Sequence, residues 1–561
     1  MKVIDFFCGA GGFSEGFKQA GYEIICGYDN WKPAIDTFNH NFNLNCKTKN
    51  ILDYNNSIED IKKLPNTEII IGSPPCVSFS SSNKSGNADK SLGLELTNSF
   101  LRIIAVKKHQ PNSILRAWFM ENVVNSKVYV KRPYSFIDLK LKDWAKENNI
   151  DPNNIALDLT DNTSIINSAD YGSFQSRKRL ISGEIINIGR ISIPDRTHNE
   201  EGINGLKPYN TIKKIKKLFP QPYSEKSDRL IKDIQYELEL PLKNITDHFY
   251  DTGIYKNEWV FSKHWKVNHP FMGKMSFPEN ENKPSRTITA TRIANSRESI
   301  IYKSEVPRIG DGEYRLPTVR EAAMIMGFPI TYQFYGSEYT KWRLVGNAVC
   351  CSVSKSFAKE VIEILNDNQE KAIIINKDLM LDGIKNLNTY SLKEFNKPPI
   401  KNKNAKFRRQ AIKEGNITVS LSNYNISKKG KVNGRWFTSV QYGTGKGFLI
   451  QEVEDGYYKE INKKILEIKN GKQFIDILGK ELTEVANTKL FQEMYEKQMS
   501  IQGYTEPTEL IDIIGEIINK LDVKLKTIKQ DDIFIYKKTI PISQLFALYA
   551  VNKISSLINR I

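Results

Sequence analysis

An α/β fold with an open, Rossmann-like sheet is the prediction for residues 1 to about 366 of this 561-residue chain, and three observations carry it. The apolar strand Val3 to Phe7 runs into Gly9-Ala10-Gly11-Gly12 and then into a helical pattern with Phe13, Phe17 and Ala20. That layout brings a backbone close to a nucleotide-like ligand, because a β-carbon in the turn would block the approach. The next strand, Glu23 to Gly27, ends in Tyr28-Asp29, where an acidic residue can accept hydrogen bonds from ribose hydroxyls. The run Ile69-Ile70-Ile71 reads as a buried parallel strand and stops at Gly72-Ser73-Pro74-Pro75-Cys76. Ligands of such sheets bind beyond the carboxyl ends of the strands, so the three turns converge on one edge.

Between the second strand and Ile69, a third strand is expected before Asn50-Ile51-Leu52-Asp53, where a polar side chain can read an adenine amino group. Pro74 and Pro75 fix the backbone, so Cys76 is held at a defined point and is a candidate nucleophile. Val77 to Asn87 is rich in Ser, Asn, Lys and Gly, which suits a mobile loop. Ala117 to Met120 reads as another buried strand, closed by Glu121. Gln175 to Ile181 continues as a strand in which Arg177 and Arg179 share a face by period-two spacing. One of these arginines can meet a carbonyl oxygen, and the other can orient Glu121 or a phosphate.

The α/β pattern breaks over residues 185 to 283. There Trp259 and Trp265 interleave with Lys256, Lys263, Lys266 and Lys274 and with His198, His248, His264 and His269, which suits a groove reader. Regular structure returns with a helix over 317 to 329, ended by Gly327 and Pro329, and with Gly346-Asn347-Ala348-Val349 opening a last helix, Ser352 to Leu365.

Hydrophobic residues make up 40% and charged residues 26%, the balance of a globular protein, and no apolar run reaches the length of a membrane span. The net charge of +17 points to a polyanionic partner. The six cysteines show no CxxC spacing, which argues against structural zinc and a disulfide framework and fits a reducing cytoplasm.

Asp5-Phe6-Phe7-Cys8-Gly9-Ala10-Gly11-Gly12-Phe13, Pro74-Pro75-Cys76, Glu121-Asn122-Val123, Gln175-Ser176-Arg177-Lys178-Arg179, Pro284-Ser285-Arg286-Thr287-Ile288-Thr289 and Gly346-Asn347-Ala348-Val349 occur in that order. Together they resemble the DNA (cytosine-5) methyltransferase family of bacterial restriction–modification systems, over about residues 1 to 366. Val77 stands where members often have Gln, and Asn50 where the third motif usually opens with Asp. The resemblance implies a class I S-adenosylmethionine-dependent methyltransferase sheet over 1 to 184 and a target recognition domain over 185 to 283. It implies a return to the catalytic domain over 284 to 366. It also implies that Cys76 attacks C6 of a flipped-out cytosine, that Glu121 serves N3, and that Arg179 lies in the pocket with Arg177 as its neighbour. S-adenosyl-L-methionine is the implied cosubstrate, with no metal. Its implied contacts are Phe7, Gly9, Gly11, Gly12, Asp29, Asn50 or Asp53, Ile51, Pro75, Leu96, Asn347 and Val349. Double-stranded DNA is the expected partner, bound by a monomer without a membrane, and a cognate restriction endonuclease is the expected functional companion in a bacterial cytoplasm. A tRNA cytosine-5 methyltransferase and a non-catalytic DNA-binding protein are the alternatives.

Residues 367 to 561 have no counterpart in that pattern. Lys397, Lys401, Lys403, Lys406, Arg408, Arg409 and Lys413 form a basic run that is either a solvated linker or a phosphate-binding arm. Ile417 to Val453 alternates like an antiparallel meander with turns at Lys429-Gly430 and Asn433-Gly434, and 457 to 526 and 541 to 560 look helical. A small α+β accessory domain is expected there.

Overall fold

The computed structural model describes residues 1–75, 91–224, 227–233, 235–236, 238–268, 273–366, 391–400, 406–424, 435–443, 449–453 and 457–560. The chain divides into two compact units, one within residues 1–395 and one from residue 396 onward. The second unit therefore begins later than the expected boundary at 366. Residues 391–395 stay with the first unit: the Lys393 backbone N–H donates to Asp251 (2.8 Å), and the Phe395 ring meets Tyr255 edge-on.

The first unit is built on a six-stranded sheet. Its strands are β1 (Lys2–Phe6), β2 (Glu23–Tyr28), β3 (Ile69–Gly72), β4 (Ala117–Asn122), β5 (Thr163–Asn167) and β6 (Lys178–Ile185), in the spatial order β2-β1-β3-β4-β6-β5. The pairings β2–β1, β1–β3 and β3–β4 are parallel, whereas β6 runs antiparallel to both β4 and β5. Helix α1 (Gly12–Gln19) follows the glycine turn, α2 (Lys32–Phe42) follows β2, and α3 (Ser91–His109) precedes β4. The central strands lie between two apolar layers, which is why β3 reads as a continuous run. Ile69, Ile71 and Phe119 face one layer with Phe17 and Phe357, while Ile70 and Trp118 face the other with Ile4 and Phe100.

No strand forms before Asn50, contrary to the expectation. Residues 43–50 are held by backbone hydrogen bonds from Leu44 to Asn39 (2.9 Å) and from Lys49 to Asp29 (2.8 Å) and by the side chain of Asn39, and no ladder with β2 develops. The final helices are α4 (Lys256–Val267), α5 (Val319–Ile325), α6 (Glu338–Asn347) and α7 (Cys351–Leu365). Gly346 and Asn347 thus close α6 instead of opening the last helix. Thr318 and Glu321 form a reciprocal capping box at the start of α5.

Residues 185–283 contain only short strands and helices, yet Ile212, Ile215, Phe219, Ile231 and Leu240 join the same apolar cluster as β3 and α5. Buried ions tie this segment to the closing helices: the Lys341 ammonium lies 2.6 Å from the Asp247 carboxylate, both fully buried. His248 is buried beneath Pro220 and Thr318, and Lys266 is buried against Glu279 at 2.7 Å, so neither is available to read a groove. Burial pushes the Lys266 ammonium down to about 8. Trp259 packs inward on Tyr314 and Phe277, whereas Lys256, Lys263 and His264 are exposed on α4 with Trp265 half-buried beside them. His198 is half-buried, Lys274 is exposed, and His269 lies outside the described residues.

The second unit holds an antiparallel sheet of β7 (Arg408–Gln410), β8 (Ile417–Ser422), β9 (Phe437–Tyr442) and β10 (Ile450–Glu452). Helices α8 (Tyr458–Leu466), α9 (Gly471–Glu481), α10 (Thr488–Lys497), α11 (Pro507–Lys520) and α12 (Ile542–Ile558) follow. The apolar α12 packs Leu545, Phe546 and Val551 into a core with Val419, Val440 and Phe474. The expected turns at 429–430 and 433–434, like Lys401 and Lys403, lie outside the described residues. In the basic run, Arg409 pairs with Asp512 and Arg408 donates to Gln441 (2.6 Å), so these two cations are engaged within the unit. Among the described residues, no helix is long and apolar enough to cross a membrane.

A β-carbon on Gly12 would lie 2.3 Å from the Val349 carbonyl oxygen and 3.0 Å from the Ala348 β-carbon. Gly12→Ala is therefore expected to destabilise the first unit by about 2 kcal/mol, since an overpacked backbone contact cannot relax as a flexible side chain would. Chemical denaturation of the full chain, followed by near-UV circular dichroism, measures it.

Candidate active site

The strands of the parallel part of the sheet deliver their side chains to one edge. β3 ends at Gly72, and the Ser73 backbone N–H donates to the Phe6 carbonyl at the end of β1 (3.1 Å). Pro75 is exposed at that edge. Cys76 follows directly in the chain but lies outside the described residues, as does the loop Val77 to Asn87.

Glu121, near the end of β4, is 5% exposed, so its carboxylate needs partners. Ser73 Oγ donates to Glu121 Oε2 at 2.7 Å, and Arg179 Nε lies 2.9 Å from Oε1. Arg179 reaches that point because β6 is paired with β4, with Asn122 opposite Leu180 and Arg179 one step further out. Of the two arginines, Arg179 is the one that the described contacts bring to Glu121. Arg177 does not share that face. Strand β6 begins at Lys178, and the preceding residues pair instead with the segment after 283: Ser176 N–H donates to the Ser285 carbonyl (2.8 Å). The Arg177 guanidinium, buried, donates to the carbonyls of Ile288 (2.9 Å) and Gly346 (3.2 Å). Gln175 is fully buried and accepts from the Ile288 N–H (3.1 Å). These two residues join the return segment to the end of α6.

The second corner of the edge is the glycine turn. Phe7 and Gly9 both adopt positive φ, 56° and 51°, and the Gly9 N–H donates to Asp29 Oδ2 (3.0 Å). Asp29 Oδ1 accepts from the Trp31 N–H (2.8 Å). Burial raises the Asp29 carboxyl above its ordinary range, opposed by these N–H donors. The three glycines differ in what they admit. At Gly9 a β-carbon would meet none of the described residues within 4 Å, whereas Gly11 is pressed by Phe42 and Tyr332 and Gly12 by Val349. Of the other expected cofactor residues, Ile51 and Val349 are buried, Leu96 is half-buried on α3, and Asn347 is exposed. Asn50 caps the short 3-10 turn Ile51–Asn55, accepting from the Leu52 N–H (3.2 Å), and Asp53 pairs with Lys49 (2.9 Å). A nucleoside carried by a sulfonium fits this corner: no described residue stands where a Gly9 β-carbon would lie, and the Asp29 carboxylate is fixed beside it.

Beneath the turn, Asp5 is buried, accepts from Ser14 Oγ (2.7 Å) at one oxygen and has no hydrogen-bond partner at the other among the described residues. Burial pushes its carboxyl up to about 8. Beside β2, Cys26 Sγ donates to Cys46 Sγ across 3.4 Å, and the Gly27 N–H points at the same sulfur (3.3 Å). Asn39 clamps Cys46 through both its backbone N–H and carbonyl (2.8 Å each). Among the described residues the two sulfurs are separate thiols. The Cys26 hydrogen bond lowers the Cys46 thiol to about 7, helped by the Gly27 N–H. Sequence reasoning missed Ser73 as a partner of Glu121 and Cys46 as a partner of Cys26. Ser73 stood inside the singled-out turn, but the aim of its hydroxyl depends on how far β4 extends beside it.

A mixed sheet with a glycine turn at one corner and a buried acid–arginine pair at the other defines an α/β enzyme of the class I methyltransferase type. The chain matches the family model of C-5 cytosine-specific DNA methylase over residues 1–363. It belongs to that family, and its reaction is cytosine-5 methylation of DNA. It is 30% identical over 378 residues to the type II methyltransferase M.NgoFVII of Neisseria gonorrhoeae, covering 66% of this chain and 88% of that one. It is 27% identical over 372 residues to the type II methyltransferase M.HgiDI of Herpetosiphon aurantiacus, covering 65% of this chain and 96% of the relative. The family match ends before the second unit begins.

Two measurements check the electrostatics of the site. Unfolded, the Asp5 carboxyl loses its proton near 3.8; folded, it keeps it to about 8, so stability from this group is complete below the lower value and is lost as pH rises through the upper. Asp5→Asn keeps an acceptor for Ser14 and carries no charge, so its melting temperature is expected to fall less than the wild type's as pH is raised towards 8 in calorimetry. Iodoacetamide is expected to label Cys46 with a rate that rises through a midpoint near pH 7, ahead of Cys8, Cys350 and Cys351, whose thiols burial pushes up. Peptide mapping by mass spectrometry reads this order.

Proposed function

We propose that this protein methylates C5 of cytosine within one short double-stranded DNA sequence and so protects that DNA from a companion restriction endonuclease. The support for the companion is the type II naming of its relatives. The observation that carries the catalytic assignment is the buried Glu121 carboxylate held by Ser73 and Arg179, on the edge from which the Pro74-Pro75-Cys76 turn departs.

In this mechanism the target base leaves the duplex, because C6 cannot be reached inside a stack. The Cys76 thiolate forms a bond to C6, and the C5–C6 π electrons move toward N3. Glu121 meets the developing charge at N3 with a proton or hydrogen bond, and Arg179 keeps the carboxyl in place. C5 is then enamine-like and nucleophilic. S-adenosyl-L-methionine supplies an electrophilic methyl group when bound. Loss of the C5 proton to water returns the electrons, breaks the C6–S bond and frees Cys76. The cosubstrate would be held at the Gly9 backbone by Phe7, Asp29, Ile51, Leu96 and Val349, with Asn50 or Asp53 toward the adenine and Asn347 at the rim. Gly11 and Gly12 serve this corner by letting the turn pack, and Arg177 serves it by tying the return segment to α6. The exposed Lys256, Lys263 and His264 of α4, with the half-buried Trp265, form the basic and aromatic face for the DNA groove. The place of action is the bacterial cytoplasm, with one chain acting on each site.

Bisulfite sequencing of plasmid DNA from cells expressing the protein tests this. Protected cytosines confined to one short motif are expected with the wild type and none with Cys76→Ser. Arg179→Ala is expected to lower kcat/KM by about 100-fold, the scale for losing a group that orients charge in a site that excludes water. No protected cytosine with the wild-type protein would overturn the reading.

A further inference from the structure

We propose that Ser73 is a positioning residue for Glu121, holding the acid against the end of β3 in both of its protonation states. The inference rests on the reading of Glu121 as the group that serves N3.

The two residues are fixed from independent directions. Ser73 leaves the end of β3 with its N–H bonded to the Phe6 carbonyl of β1 (3.1 Å), so its Cα is tied to the sheet edge. Glu121 is fixed by strand pairing, opposite Ile181 of β6. The 2.7 Å bond from Ser73 Oγ to Glu121 Oε2 spans these two frames. In the chain only Pro74 and Pro75 separate Ser73 from Cys76, and prolines allow little backbone freedom. One hydrogen bond thus joins the acid to the residue that precedes this proline pair.

The choice of a hydroxyl matters chemically. Glu121 changes protonation as charge rises and falls at N3. The Arg179 guanidinium, 2.9 Å from Oε1, can only donate, so it matches the carboxylate and has nothing to offer an added proton. A serine hydroxyl donates to a carboxylate and, by rotating, accepts from a carboxylic acid. Ser73 therefore keeps its contact through the cycle, and Glu121 need not swing to find a new partner when it gains or loses its proton. Alanine at 73 would leave Oε2 buried without that partner, and the carboxyl held through Arg179 alone among its described partners.

The experiment is steady-state kinetics of the full-length protein on the plasmid used for bisulfite mapping, with Ser73→Ala, Ser73→Thr, Glu121→Gln and the Ser73→Ala/Glu121→Gln double variant. Ser73→Ala is expected to lower kcat by about 10-fold, the scale of one hydrogen bond to a charged group, with both KM values and the thermal midpoint close to those of the wild type. Ser73→Thr, which keeps the hydroxyl, is expected to recover most of that loss. In the Glu121→Gln background the alanine substitution is expected to add almost nothing, because its effect runs through the carboxyl. A wild-type kcat in Ser73→Ala, or a loss that adds in full to that of Glu121→Gln, overturns the proposal. Wild-type activity in Glu121→Gln instead overturns the reading of Glu121 itself, so the two failures are distinguishable.

Discussion

A carboxylate buried at the end of a strand needs its charge compensated, and two elements of the first unit converge on Glu121 to do so, a hydroxyl hydrogen-bonded at Oε2 and a guanidinium paired in charge with Oε1. β3 supplies Ser73 from one side, and the antiparallel β6 supplies Arg179 from the other. An all-parallel sheet would place the neighbouring strand's carboxyl end here. The reversal at β6 instead brings its amino end beside Glu121, so the arginine arrives at the start of that strand. The strand reversal is thus what lets an acid and a permanent cation meet at the edge where ligands bind.

The same economy of position governs the glycine turn. Gly11 and Gly12 answer to the protein itself: Phe42, Tyr332 and Val349 occupy the space a β-carbon would need. Gly9 alone of the three has no described residue where a β-carbon would stand, and its N–H is spent on Asp29. Asp29 in turn accepts from Trp31 and takes Lys49 at its backbone carbonyl. This corner is therefore organised by hydrogen bonds inside the chain, and Gly9 and the Asp29 carboxylate are fixed side by side in it. Pressing α1 against Val349 also makes residues late in the chain part of a corner that begins at residue 7.

How legible this was depended on whether a signal was local. The buried run Ile69–Ile71, the glycine turn, the acid closing β4 and the helical tail could be read because each is set by neighbours in sequence. Arg177 could not: period-two spacing assumed a strand from 175, but residues 174–176 pair with Ser285, and the guanidinium goes to carbonyls at 288 and 346. The strand expected before Asn50 failed because the stretch ahead of it is held through Cys46, by its sulfur against Cys26 and by the Asn39 clamp on its backbone, instead of by a ladder. Lys266 and His248 looked like groove readers by composition and are core residues, since a charge or ring can be buried when a distant partner such as Glu279 or Thr318 is supplied. Long-range pairing was the common missing term.

That pattern bears on how recognition and chemistry are separated. Residues 185–283 reach the catalytic core through apolar side chains and through the buried Asp247–Lys341 pair. None of the described contacts of Glu121, Arg179 or Asp29 comes from that segment. Breaking a buried ion pair leaves an uncompensated charge, which makes Asp247 and Lys341 a rigid fastening for the segment. The exposed face of α4, by contrast, is bound by no such constraint: Lys256, Lys263 and His264 can change without creating a buried charge or a cavity. The acid and the arginine are held by the sheet, so on the proposed reading the exposed face of α4 can change while the described hydrogen bond and ion pair of Glu121 stay in place.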